Sequence, residues 1–140
     1  MMKALLYPLL IQVALTFAVM IRMYLTRVDE FKRKRIDPNS VPTRQAFAAR
    51  LTDSANVADN FANLFEMPVL FYTAIVLALT LLIHDPIIIT LAWLYVALRV
   101  IHSLIHCTYN LVMHRFMAFA FSAVVLLALW VRLGWIIVLR

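Results

Sequence analysis

The sequence predicts an all-α membrane protein, a four-transmembrane-helix bundle that forms a single domain over residues 1–140. Of its 140 residues, 65% are hydrophobic, only one is glycine, and the mean hydropathy is +0.91. Four apolar stretches each reach the roughly 20 residues that a helix needs to cross the hydrocarbon core. A β-barrel would instead show short segments of alternating hydrophobicity. We therefore expect four spanning helices, which leave little protein for anything else.

The first helix is predicted over residues 4–26, with Gln12, Thr16 and Arg22 as its main polar interruptions. The apolar run is longer than the core of a signal peptide, and no small-residue cleavage site follows it. We therefore expect this helix to be retained.

A basic connector is predicted over residues 27–58, and Pro38 and Pro42 interrupt it. Seven of the thirteen Lys and Arg residues lie between positions 27 and 50. Their position beside a span favours a cytoplasmic loop near anionic lipid headgroups, so we expect membrane lipids rather than nucleic acid as partners. Within residues 43–57, the spacing of Ala46, Phe47 and Leu51 favours a short interfacial helix.

The remaining helices are predicted over residues 59–83, 86–113 and 115–139. The sequence His84-Asp85-Pro86 breaks the chain, and proline suits the first turn of the following helix. Four spans with a cytoplasmic first loop place both termini on the opposite side. In a bacterial inner membrane, that side is the periplasm.

Nearly all polar residues of the spans lie toward the same end of their helices. A charge at a helix centre costs about 2.5–3.5 kcal/mol on the insertion scale, so such residues normally face the protein interior and mark a site. The sequence therefore predicts a polar chamber in the cytoplasmic leaflet. The candidate ligand-binding residues are Arg22, Asn60, Asn63, Glu66, Arg99, His102, His106 and Tyr109, and Arg115 completes the set.

Within the third helix, Arg99, His102, His106 and Tyr109 follow an i, i+3, i+7, i+10 spacing. This spacing predicts that all four lie on one helical face. An equally weighted interpretation is that they are structural hydrogen-bonding residues between helices. A metal site is not expected, because the two histidines have no third ligand nearby in sequence.

The second helix places Glu66 about 9 Å inside its span. A carboxylate at that depth is expected to be paired, with Arg99 as the first candidate partner and Arg22 as the second. The alternative interpretation is that this pair only orders the bundle. One cysteine, Cys107, excludes an internal disulfide.

Three motifs resemble those of the MAPEG family, the membrane-associated proteins in eicosanoid and glutathione metabolism. They are Asn60-Phe-Ala-Asn63-Leu-Phe-Glu66-Met-Pro68, Arg99-Val-Ile-His102-Ser103, and Arg115 sixteen residues after Arg99. The resemblance covers the whole chain. It implies a homotrimer that binds glutathione between neighbouring subunits in the cytoplasmic leaflet.

The resemblance also implies roles for individual residues. Arg115 matches the family arginine that stabilises the glutathione thiolate, and is the candidate catalytic residue. Arg99 and His102 match the family residues of the third helix, while Asn63 and Glu66 match in kind those of the second. This chain departs from the family pattern in three ways. Glu66 precedes Pro68 by two residues rather than about four, His106 replaces an aromatic hydroxyl, and Phe116 follows Arg115.

Two functions follow as hypotheses. The first is a glutathione-dependent transferase or peroxidase that acts on lipophilic electrophiles or lipid hydroperoxides. A nearby guanidinium would favour the thiolate form of a thiol whose ordinary pKa is about 8.5. The second is a non-catalytic protein of the same family that binds another lipophilic ligand or scaffolds membrane partners.

Overall fold

The computed structural model describes residues 2–139 of the chain, and these residues form helices and turns without strands. Four helical segments are long and apolar enough to cross a membrane: Lys3–Lys34, Ala55–Thr80, Pro86–Cys107 and Val112–Val138. The prediction of an all-α protein with four spans is confirmed. The homotrimer stays a prediction.

Six α-helices and one 3₁₀ turn make up the described chain. The turn is Pro38–Ser40, and the helices are α1 (Met2–Lys34), α2 (Arg44–Arg50), α3 (Ala55–Asn63), α4 (Met67–Thr80), α5 (Pro86–Cys107) and α6 (Val112–Val138). The predicted interfacial segment corresponds to α2, whose first turn is capped by the Thr43 hydroxyl.

Helix α1 continues through the first charged residues of the connector and ends at Lys34 rather than near residue 26. Two pairs with i, i+4 spacing lie on this extension: Lys34 with Glu30, and Arg33 with Asp29. Such pairs support a helix in water, so the helix extends beyond its apolar part. The segment between α1 and α3 is correspondingly shorter than the predicted connector.

The second span consists of two helices, α3 and α4, separated by residues 64–66. Pro68 stands in the first turn of α4, where its missing N–H needs no partner. Proline also disfavours a helical conformation in the residues before it, which explains the break in an otherwise apolar run.

Helix α5 ends at Cys107 rather than near residue 113, and α6 begins at Val112 rather than at 115. Asn110 adopts a left-handed conformation with φ 46°, and its N–H donates to the Ile105 carbonyl at 2.9 Å. Asparagine tolerates this conformation better than most residues. Tyr109 therefore lies in the α5–α6 turn, and the prediction that it continues the polar face of the third helix is wrong.

The main apolar core lies between α4, α5 and α6, with Leu5 of α1 against it. Phe71 and Tyr95 stack with ring centroids 4.7 Å apart, and Leu129 and Leu133 are fully buried beside them. At the end of this core, Asp85 caps α5 through the Ile88 N–H and accepts a 2.7 Å hydrogen bond from Arg132. We call this end of the bundle the turn end, and the opposite end, near residues 35–54, the connector end.

Candidate functional site

Most buried polar side chains of the spans gather at the connector end, where α3, the last turns of α5 and the first turn of α6 meet. Asn60 of α3 and four residues of α5 are buried there. The four are Arg99, His102, Ser103 and His106. The sequence predicted this common depth, and the structure brings the residues into one cluster.

Arg99 is fully buried and makes one hydrogen bond, from Nη2 to the Asn63 carbonyl at 3.1 Å. Among the described residues, Nε and Nη1 have no hydrogen-bond partner. The guanidinium carbon lies 5.9 Å from the Phe119 ring centroid. Arg99 therefore retains hydrogen-bond donors that no described residue pairs with.

The pairing of Arg99 with Glu66, predicted from depth, is not among the ion pairs of residues 2–139. Glu66 lies at the α3–α4 break and its side chain is exposed. Because α3 ends at Asn63, its carbonyl has no partner four residues further on within a helix. It accepts hydrogen bonds from the Glu66 N–H at 3.4 Å and from the arginine. The break between α3 and α4 therefore explains both differences from the prediction: Glu66 is exposed, and Arg99 bonds to the Asn63 carbonyl.

Two histidines of α5 contact Arg115 in the first turn of α6. His102 Nδ1 lies 3.1 Å from the Arg115 carbonyl, and His106 Nε2 lies 2.9 Å from Arg115 Nη1. Arg115 Nη1 also donates to the Asn110 side-chain oxygen at 2.8 Å. The two imidazoles stand edge to face at 5.5 Å, and each has one buried nitrogen that the described residues leave unpaired. No group of three metal-binding side chains forms within residues 2–139.

Asn60 joins α3 to α5 through both ends of its amide. The Ser103 hydroxyl donates to its oxygen at 3.3 Å, and its nitrogen donates to the Cys107 sulfur at 3.3 Å. Because the amide is fully buried and both its atoms are engaged, this geometry favours a structural tie over ligand contact.

Arg22 and Tyr109 lie apart from the cluster. The Arg22 guanidinium donates to the Cys107 carbonyl at 2.6 Å and so ties α1 to the last turn of α5. Tyr109 is 58% exposed, and its hydroxyl lies 3.2 Å from His114 Nδ1. The structure therefore does not place these two predicted ligand residues in the cleft described next.

A polar cleft of about 290 Å³ opens beside the cluster. Its lining residues are Asp59, Ala62, Asn63, Glu66, His106 and Arg115. Carboxylates from the α3 side thus share one cleft with a guanidinium from α6. Asp59 was missing from the predicted site, although its i, i+4, i+7 spacing with Asn63 and Glu66 was a signal for it. A cleft with both signs of charge can bind a zwitterion.

Two further cavities lie near this cleft, and one of them adjoins it. A vestibule of about 570 Å³ between α1, α2 and α3 shares Asp59 and Ala62 with the polar cleft. An apolar groove of about 310 Å³ along α1 shares Phe61 and Phe65 with the vestibule. The sequence did not reveal these cavities, because the vestibule depends on how the connector folds back against α1 and α3, and the groove depends on how α1 packs against α3 and α4.

Comparison with known proteins gives one family. The model of the MAPEG family matches residues 5–135, which is nearly the whole chain. No curated protein and no solved structure gives a significant match.

Proposed function

The chain belongs to the MAPEG family, and from that membership we propose that it is a glutathione-dependent transferase or peroxidase acting on lipophilic electrophiles or lipid hydroperoxides. The observation that carries this proposal is the polar cleft, in which the Arg115 guanidinium shares one cavity with Asp59 and Glu66. Ionisable residues within membrane spans commonly mark a ligand or substrate site, and this supports the proposal.

The chemistry of the cleft fits a tripeptide thiol. Glutathione has two carboxylates, one ammonium group and one thiol, and charge-assisted hydrogen bonds are the strong means of holding such groups. Arg115 lines the cleft and provides donors for carboxylates. Arg99 is fully buried and outside this lining, and its unpaired N–H groups would add donors where ligand binding exposes them. Asp59 and Glu66 provide acceptors for an ammonium group. Buried donors without a partner normally have a ligand or ordered water in the complete assembly.

Arg115 is the proposed thiolate-stabilising residue. It lies in the first turn of α6, where the helix dipole adds positive potential to the charge of the guanidinium. A thiol with an ordinary pKa of about 8.5 is mostly protonated at neutral pH, and adjacent positive charge favours its thiolate. When bound, glutathione would supply that thiolate as the nucleophile.

The adjoining cavities support a lipophilic second substrate. The apolar groove along α1 opens on the surface of a spanning helix, and it meets the vestibule at Phe61 and Phe65. The vestibule in turn meets the polar cleft at Asp59 and Ala62. The three cavities are therefore neighbours in this order, and we propose this order as the route of a molecule dissolved in lipid to the cleft.

A homotrimer with the cleft in the cytoplasmic leaflet is part of the proposal. The cleft lies open at the protomer surface, and Glu66 is exposed although it belongs to a span. A second copy of the chain would cover this side chain and close the cleft. Chemical cross-linking in detergent would give a trimer if this assembly is correct.

The test uses the ultraviolet absorbance of the glutathione thiolate on the purified protein. Arg115→Ala should lose the thiolate signal and lower the rate of conjugation by at least tenfold, about 1.4 kcal/mol or more. Arg50→Ala is the matched control, because Arg50 is an exposed arginine of α2 that donates to Ser40. An undiminished thiolate signal in Arg115→Ala would remove Arg115 from this role.

A second candidate is a non-catalytic family member that binds another lipophilic ligand or scaffolds membrane partners. One observation favours it: Arg115 Nη1 is already engaged by His106 and Asn110 of its own protomer. Calorimetric titration with glutathione and conjugation of a chloronitrobenzene separate the two candidates. Silence in both measurements would favour the non-catalytic protein.

A further inference from the structure

Side chains of α5 form hydrogen bonds with the first turn of α6. The N-cap residue of α6 is Leu111, which makes no side-chain capping bond. His102 and His106 instead contact the backbone and the side chain of Arg115. We propose that these two histidines, neutral and protonated on Nδ1, form a clamp that positions Arg115. This inference rests on the proposed function and deepens it.

Donor and acceptor chemistry fixes the state of His106. An arginine N–H only donates, so the His106 Nε2 that lies 2.9 Å from Arg115 Nη1 must accept with its lone pair. The ring proton is then on Nδ1. His106 is 1% exposed, so water does not offer an alternative partner to Nε2. An imidazolium would lose this bond, because both of its nitrogens donate.

The same reasoning applies to His102 with the roles reversed. A carbonyl oxygen only accepts, so His102 Nδ1, which lies 3.1 Å from the Arg115 carbonyl, carries a proton. The bond joins α5 to the backbone of α6, next to the side chain that His106 holds.

The charges around the clamp favour neutral rings. Arg99 lies on the same helix and Arg115 faces both rings from α6, so an imidazolium would repel two guanidinium groups. Asp59 and Glu66 line the same cleft as His106, but neither forms an ion pair with a histidine among residues 2–139.

The clamp determines which N–H groups of Arg115 remain available to a ligand. His106 and Asn110 take both protons of Nη1, so the plane of the guanidinium is fixed. The described residues provide no hydrogen-bond partner for its Nε and Nη2 groups. These remain as the donors for an anion in the polar cleft. His106 therefore acts on the thiol through Arg115, as a positioning residue.

The first test needs no ligand. In the ¹⁵N NMR spectrum of the histidine-labelled protein, His102 and His106 should show the neutral Nδ1–H tautomer, which an imidazole in water does not favour. His84 and His114 are exposed and serve as internal controls, with assignment by single His→Gln variants. Arg115→Ala should remove the tautomer preference of His106. An Nε2–H tautomer at His106 in the unaltered protein would overturn the clamp.

The second test uses the glutathione-bound protein. His106→Phe removes the acceptor, and the thiolate fraction at a fixed pH should fall by about tenfold, the size of one hydrogen bond to a charged group. His106→Gln should restore most of it, since a side-chain amide oxygen can accept. His114→Phe is the matched control. A thiolate pH profile that is the same in His106→Phe and the unaltered protein would overturn the inference.

The two tests separate the inference from the proposed function. If the unaltered protein forms no glutathione thiolate, the proposed function fails, and the tautomer of His106 still decides whether the clamp exists. If the thiolate forms but His106 carries its proton on Nε2, the clamp fails and the proposed function stands.

Discussion

Glu30 of α1 and Arg99 of α5 are both charged, both fully buried and both at the connector end, yet they differ in how many hydrogen bonds they make. The Glu30 carboxylate accepts hydrogen bonds from the Lys34 ammonium at 2.5 Å and from the backbone N–H groups of Asp53 and Ser54 at 2.9 Å. The Arg99 guanidinium donates one bond, to the Asn63 carbonyl.

The difference separates a charge whose hydrogen bonds are made by the described residues from one that keeps unpaired donors. The Glu30 carboxylate accepts from one ammonium and two backbone N–H groups, and these bonds connect the end of α1 to the residues just before α3. Lys34 also donates to the Asp53 carboxylate and lowers the pKa of that group, so Asp53 stays charged at neutral pH. Arg99 instead keeps unpaired donors, and an unsatisfied buried polar group costs about 1–3 kcal/mol. A bound anion would offset that cost.

The largest effect on stability is expected at Glu30. Glu30→Ala would leave the part-buried N–H of Asp53 and the buried N–H of Ser54 without acceptors, and Lys34 without its closest partner. Breaking a buried, hydrogen-bonded charge pair is strongly destabilising, so we expect a loss of about 3 kcal/mol or more. Denaturant titration of the purified protein in detergent, followed by tryptophan fluorescence, measures it.

Asp29 provides the control for this experiment. Its side chain is 74% exposed and pairs with Arg33 one helical turn away, so Asp29→Ala should change stability by less than about 0.5 kcal/mol. Glutathione affinity should survive Glu30→Ala under conditions in which the variant is folded. Equal losses in Glu30→Ala and Asp29→Ala would contradict the structural role of Glu30.

The sequence predicted the four spans and the common depth of the polar residues, because both depend on hydrophobicity along the chain. It did not predict where helices end. Residues 27–34 looked like a loop because they are charged, whereas their i, i+4 pairs continue α1. Asn110 ended α5 early through a left-handed turn, which a uniform helical spacing through Tyr109 could not anticipate.

The hydrogen-bond partners of the site residues were less predictable than the depth of these residues along their helices. Glu66 and Arg99 have suitable depths, but the break at residues 64–66 changes the direction in which Glu66 points. The backbone carbonyl of Asn63, which has no sequence signature, takes its place as the arginine's partner. Contacts that depend on rotation about a helix axis need the three-dimensional structure.

Asp85 at the turn end should give an intermediate effect that depends on pH. Asp85→Ala removes the cap of α5 and the partner of Arg132, with an expected loss of about 1–2 kcal/mol at pH 7. The hydrogen bond from Arg132 lowers the pKa of this carboxyl below its ordinary value. Its stabilisation is therefore present above about pH 4, the unfolded pKa, and is lost as the pH falls through the lower folded value.

Asp85→Asn separates the two contributions, because asparagine also caps helices but carries no charge. The difference in unfolding free energy between the unaltered protein and Asp85→Asn should shrink as the pH is lowered below about 4. A difference that stays constant from neutral pH into that acidic range would show that the ion pair contributes nothing.

Arg99→Met should give the smallest change in stability and the clearest change in binding. The substitution loses one hydrogen bond to Asn63, but it also removes unpaired buried donors and leaves an apolar side chain of similar length. Replacing a buried charge by a well-packed apolar residue is often neutral or stabilising, so we expect a change of less than about 1 kcal/mol. Glutathione affinity should nevertheless fall by tenfold or more. Arg99→Lys keeps the charge but not the planar fork, and should bind with intermediate affinity. If Arg99→Met destabilised the protein as much as Glu30→Ala while binding was unchanged, Arg99 would be a structural charge like Glu30.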